Sequence, residues 1–160
     1  MIHLFHGSNV KIKTPDLAHS KPFKDFGRGF YLSADEQQAH DMAIQKVSQT
    51  QVGSAEVTHF LFDESLMQSG ELKVLSFPDY CEEWARFVLA NRSRQEKQPV
   101  HDYDIVYGPI ADDGVTFQLR RYEGGVISLA RLVEELKYAK GITFQYFFGT
   151  DRALAKLKKV

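Results

Sequence analysis

Four short stretches hold the side chains whose types and spacing could do chemistry. His6-Gly7-Ser8 places an imidazole, a bare backbone and a hydroxyl in succession, three different donors or acceptors for the edge of a polar ligand. A turn carrying a surface histidine is the plain alternative. In Asp25-Phe26-Gly27-Arg28-Gly29-Phe30-Tyr31-Leu32-Ser33 glycines sit among aromatics. The third glycine of a dinucleotide fingerprint and the Lys-Ser/Thr of a P-loop are missing. Instead, Gly29 beside Phe30 lets a flat ring approach the main chain. Tyr31 offers a face for stacking and a hydroxyl for a hydrogen bond. The alternative is an edge strand whose aromatics fill the core.

The third stretch, Tyr103-Asp104-Ile105-Val106-Tyr107-Gly108-Pro109-Ile110-Ala111-Asp112-Asp113, invites an acid/base or metal reading. Asp112 and Asp113 are adjacent and precede a helix-like segment, where capping and the helix dipole account for them. Asp25 and Asp104 are read as structural, Asp25 as an acceptor for backbone N–H groups of its turn. The fourth stretch is Phe144-Gln145-Tyr146-Phe147-Phe148. A buried glutamine must find partners, so Gln145 is either an internal brace or a ligand contact. Cys81 lies beside Glu82 and Glu83, which disfavours a thiolate. The histidines at 3, 6, 19, 40, 59 and 101 show no HExxH or similar spacing, so no metal is expected.

Mixed elements must position these residues. Residues 2–6 alternate as a strand, 11–25 read as loop, and 26–32 as a strand. Ser33 with Glu36 forms a capping-box pattern for a helix to about Val47, with Ala39, Met42, Ala43 and Val47 along one stripe. Strands are expected over 56–62, 72–77, 103–107 and 143–148. Helices are expected over 79–94, 114–122 and 129–136, the last capped by Ser128, and after Thr150. The polar run 91–98 reads as loop. Without regular strand–helix alternation, this is an α+β domain.

The 160 residues predict one domain spanning 1–160. Lys plus Arg number 20 against 21 Asp plus Glu, a formal charge of −1, so a phosphate-dominated nucleic-acid binder is not indicated. Arg120-Arg121 and Lys156, Lys158 and Lys159 read as solvated helix faces. One cysteine excludes an internal disulfide framework. No apolar run approaches the ~18 residues of a membrane span, and the N-terminal segment meets Gly7 too early for a signal peptide. A cytoplasmic location is expected.

Taken together, the stretches resemble the ADP-ribosyltransferase superfamily, in the histidine-tyrosine-glutamate branch that includes the poly-ADP-ribose polymerases. That branch has HGS on its first core strand, as His6-Gly7-Ser8, and G-K/R-G-I/F-Y-F/L at the second, as Gly27 to Leu32. Its E-Y-I-V motif falls where Gln145-Tyr146-Phe147-Phe148 stands. More narrowly, the chain resembles a bacterial domain family of unknown function that pairs HG with DFG-x-GFY, YD-x-V-x-G-x-x-ADD and a terminal Q-x-x-F followed by a short helix. Those motifs occur here in order, from residue 6 to residue 157.

The resemblance implies a split β-sheet core with flanking helices and a cleft for NAD as substrate. It implies that His6 bonds the adenosine ribose and that Gly7 holds the nicotinamide amide through its backbone, with Ser8 nearby. Gly29 and Phe30 would also contact NAD, Tyr31 would stack on the nicotinamide ring, and Gln145 would stand in the catalytic glutamate's position. The branch's second stacking tyrosine has no match; His40 or Met42 is nearest. An amide at 145 keeps a hydrogen bond but no charge, a loss of roughly 1.5–3 kcal/mol, or about one to two decades in rate. The expectation is a mono-ADP-ribosyltransferase with a macromolecular or small-molecule acceptor, toxin-like and neutralised by a small cognate antitoxin protein. The alternative is a degenerate module that binds NAD or ADP-ribose without turnover.

Overall fold

A computed structural model describes residues 1–95, 97–138 and 141–160. Two sheets carry the fold. β1 (Ile2–Ser8) pairs antiparallel with β3 (Glu56–Phe62), which is flanked by the short β7 (Lys158–Lys159). The second sheet has the order β2-β6-β5-β4, built from β2 (Phe30–Leu32), β4 (Val74–Ser76), β5 (Ile105–Pro109) and β6 (Phe144–Phe148). Among the described residues five α-helices accompany them: α1 (Glu36–Thr50), α2 (Glu82–Arg92), α3 (Asp113–Glu123), α4 (Leu129–Lys137) and α5 (Asp151–Leu154). The fold is α+β.

The strand β6 explains why Phe144–Phe148 is almost wholly apolar: both its faces are covered. Tyr146 and Phe148 face a core shared with Leu4, Phe60 and Phe62 of the other sheet, closed by Ala153 and Leu154. Phe147 faces a second core with Val106 and Phe26, roofed by Trp84, Val88, Val115, Leu119, Leu132 and Leu136. Among the described residues the sheets are joined by one bridge. Phe5 N–H donates to the Ser33 carbonyl at 2.7 Å, and Ser33 N–H returns to Phe5 at 2.8 Å. Beyond that bridge β1 and β2 diverge.

Several expected boundaries move. The strand expected over 26–32 is confined to Phe30–Leu32, because Gly27 at φ +92° turns the chain first. The cap of α1 is Asp35, which accepts from Gln37 and Gln38 N–H, not Ser33. Ser33 is still engaged in the bridge, and its hydroxyl accepts from Asp35 N–H and donates to Gln38 Oε1. α1 runs on to Thr50, and of its expected stripe only Ala39 and Ala43 are buried. The strand expected over 72–77 is shorter, and the one expected over 103–107 starts later and runs through Gly108 to Pro109. α2 starts at Glu82, capped by Cys81, three residues after the expected start; Asn91 and Arg92, where the expected helix 79–94 and loop 91–98 overlap, belong to the helix. The 3-10 turn Glu64–Met67 and β7 were not foreseen. The caps at Asp112, Ser128 and Thr150 are as expected.

Asp104 is structural: it accepts from Lys73 N–H and Thr150 Oγ1 and pairs with Arg152. These contacts hold its carboxyl below the usual range despite burial. No described helix is long and apolar enough to cross a membrane.

Candidate functional site

A cleft of about 1060 Å³ opens where the two sheets part. The end of β1 and the strand β2 form its floor, the loop 9–29 one wall and α1 the other. His6, Gly7, Ser8, Gly29, Phe30, Tyr31 and Gln145 all line it. Residues from three distant segments are thus gathered by the divergence of β1 from β2 and by the antiparallel pairing of β2 with β6. In that pairing Tyr31 stands opposite Phe147. Gln145, two residues from Phe147, shares its face of the sheet.

His6 is fixed on two sides. Its ring stacks on Phe30, with centroids 4.0 Å apart and planes 17° apart. Its Nδ1 lies 2.6 Å from the Tyr31 carbonyl. A carbonyl only accepts, so Nδ1 carries the proton and Nε2 keeps the lone pair. Burial, opposed by this hydrogen bond and aided by Lys46 and Lys24, lowers the pKa to about 4. The imidazole is therefore neutral at neutral pH.

Gly7 has a packing reason for lacking a side chain. A Cβ there would stand 1.9 Å from the Ala39 carbonyl oxygen of α1. Ser8 lines the cleft but is only 2% exposed. At Gly29 a Cβ would meet the Phe147 ring at 2.1 Å, and both its N–H and carbonyl are bonded to the Ser20 hydroxyl.

Tyr31 departs from the expectation in one respect. Its hydroxyl closes the preceding turn, donating to Gly27 O at 2.7 Å and accepting from Phe26 N–H at 3.0 Å. Burial and the neighbouring Asp25 charge push its pKa well up. The ring remains at the cleft, and the Lys24 ammonium sits 5.5 Å from its centroid.

Gln145 is buried, and its Nε2 donates to Asp25 Oδ2 at 3.1 Å. Asp25 is a hub: Oδ2 also accepts from Ala111 N–H at 3.0 Å, and Oδ1 binds Arg92 Nε at 2.9 Å. Its partners are therefore distant in sequence, not the local turn expected for it. Within 25–33 only the carboxylate type marked it, and the β6 pairing that brings Gln145 to it lies 120 positions away.

Sequence reasoning also missed the charge of the cleft. Among the described residues Lys11, Lys13, Lys21, Lys24 and Lys46 line it against one carboxylate, Asp16. Subtracting these from the whole chain's 20 and 21 leaves 15 cationic and 20 anionic residues elsewhere. Burial first, and then the neighbouring lysines, lower the pKa of Lys24 and of Lys46. On α1, Gln38, Met42, Gln45, Lys46 and Gln49 line the cleft; of the two residues nearest the absent second tyrosine, Met42 faces it and His40 does not.

The fold and the site define an α+β domain with a cationic cleft set where two sheets separate. By its sequence the chain belongs to the family described as protein of unknown function (DUF3990), which it matches over residues 2–159. No curated protein and no solved structure matches it.

Proposed function

We propose that the cleft binds NAD and that the protein is a mono-ADP-ribosyltransferase of the histidine-tyrosine-glutamate type, its paired sheets being that superfamily's split core. The observation that carries the reading is the convergence of His6-Gly7-Ser8, Gly29-Phe30-Tyr31 and Gln145 on one cleft. The resemblance implies one ligand for those same positions. The lysine excess along the walls suits the diphosphate of such a ligand.

In this reading the lone pair of His6 Nε2 accepts from an adenosine-ribose hydroxyl, and the Tyr31 ring supports the nicotinamide once Lys24 swings aside. The bond between C1′ of the ribose and the nicotinamide nitrogen breaks, and nicotinamide leaves with the bonding pair. The oxocarbenium-like ribosyl centre is met by an acceptor that loses a proton. Such chemistry depends on positioning and oriented dipoles more than on a protein nucleophile. Gln145 contributes a neutral acceptor to the ribose hydroxyl. The acceptor is a macromolecule or small molecule reached from the open side of the cleft. A small antitoxin-like protein covering that side would silence the enzyme.

One observation favours a second reading, a module that holds NAD without turnover: the glutamate's position carries an amide anchored to Asp25. Release of nicotinamide from NAD by the purified protein separates the two. Turnover that disappears in His6→Ala supports the transferase. Saturable NAD binding with no nicotinamide released supports the module. Absence of binding refutes both.

A further inference from the structure

The Gln145 amide is oriented by chemistry. Asp25 only accepts hydrogen bonds when ionised, so the group 3.1 Å from Oδ2 must be the NH2 of Gln145. The carbonyl Oε1 then points away from Asp25. It has no partner among the described residues. Nor is any fully buried side-chain N or O atom among them left unpaired. Since Gln145 lines the cleft, Oε1 is its exposed polar atom there.

Asp25 is itself held in place. Arg92 from the end of α2 grips Oδ1, and the same guanidinium donates to Thr116 Oγ1 at 3.0 Å. Ala111 N–H fixes Oδ2 from the turn before α3. The carboxylate cannot rotate away from Gln145 without breaking bonds to two other segments.

We propose that Asp25 is the positioning residue of this cleft, holding Gln145 with its amide nitrogen inward and its carbonyl oxygen toward the ligand. The wall thereby offers a fixed, uncharged acceptor to a ligand hydroxyl. The same contact opposes an ionised carboxylate at position 145, because two carboxylates at about 3 Å do not both ionise readily. A protonated acid there imitates glutamine: its O–H donates to Asp25 and its C=O faces the cleft. This inference deepens the NAD-binding reading and names which residue sets the hydrogen-bonding character of the catalytic position.

The test is a charge swap followed over pH. Gln145→Glu is compared with Asp25→Asn/Gln145→Glu, in which the amide and the acid exchange sides of one hydrogen bond. Asp25→Asn alone controls for the lost Ala111 contact. The other charged or titratable groups near Asp25 are Arg92 on α2, Lys24 and Tyr31 on the cleft side, and Tyr80 before α2. All are present in every variant.

In folded Gln145→Glu, the carboxyl carbon at 145 should titrate by 13C NMR at least one pH unit higher than in the double variant. Nicotinamide release should rise about tenfold between pH 6 and 9 in Gln145→Glu and stay flat in the double variant. The double variant should be at least tenfold faster than Gln145→Glu at pH 7. Equal titration of the two carboxyl groups, or parallel rate profiles, would overturn the proposal.

The parent supplies an arm free of substitutions and of NAD. The Gln145 side-chain amide protons should exchange with solvent at least tenfold more slowly than those of an exposed glutamine. Free exchange overturns the proposal whether or not NAD binds. Slow exchange and a raised carboxyl titration without any NAD binding would uphold the positioning role while refuting the NAD reading.

Discussion

Acid should weaken the fold through His6, and the structure sets the size. The ring is held neutral, with its pKa near 4 instead of 6.5 because burial penalises the charged form. Between these values the unfolded chain binds a proton that the folded chain refuses. The stabilisation is therefore complete above about pH 6.5 and lost as pH falls toward 4. The full window of about 2.5 units corresponds to about 3 kcal/mol. From pH 7.5 to 5 the same two values give about 2 kcal/mol, an upper figure because the ring is partly open to solvent.

His101, also lowered by burial, acts in the same direction, so the parent's acid sensitivity exceeds the His6 share. His6→Asn removes the titration and keeps an N–H for the Tyr31 carbonyl. Urea midpoints for parent and variant at both pH values isolate His6, because any fixed cost of the substitution cancels in each protein's own difference. The parent should lose about 2 kcal/mol more than His6→Asn, equivalent to roughly 4–8 °C in Tm. Equal losses, or an NMR titration of the ring near 6.5, would refute the reasoning.

Gly7→Ala should displace α1, since a Cβ at 1.9 Å from Ala39 O must recede by more than an ångström. Thermal unfolding should show a loss of about 1–3 kcal/mol, and an unchanged Tm would mean α1 is not seated as described. Tyr31→Phe strips Phe26 N–H and Gly27 O of their partner. It should cost about 1–3 kcal/mol while leaving NAD affinity within threefold, as titration calorimetry would show. Lys46→Ala should weaken NAD binding and reduce its salt dependence. Identical salt slopes would remove Lys46 from the diphosphate's surroundings.

The parts of the fold set by local chemistry were legible in the sequence. Ser128, Thr150 and Asp112 cap as their residue types demand, and the alternation of β3 gives Glu56–Phe62 without error. The segment before Phe30 was misread because glycine-aromatic patterns suit a strand and a turn alike. What decided it was the Tyr31 hydroxyl reaching back to Phe26 and Gly27. α1 was misjudged because Met42 and Val47 fit a buried stripe by period. Tertiary packing instead turned Met42 and Lys46 to the cleft. The Asp25–Gln145 contact joins segments 120 positions apart, and nothing in either segment encodes the other. By sequence Gln145 is either a brace or a ligand contact; in the proposed arrangement its two ends divide those roles, the nitrogen bracing against Asp25 and the oxygen facing the cleft.

The most direct test of the central claim is a titration of 15N-labelled protein with NAD, followed through backbone amide shifts. Saturable shifts should centre on Gly7, Ser8, Gly29, Phe30, Tyr31 and Gln145, with those around the remote, exposed Phe117 and Val126 unmoved. An unchanged spectrum at millimolar NAD, or saturable shifts that bypass the cleft, would contradict it.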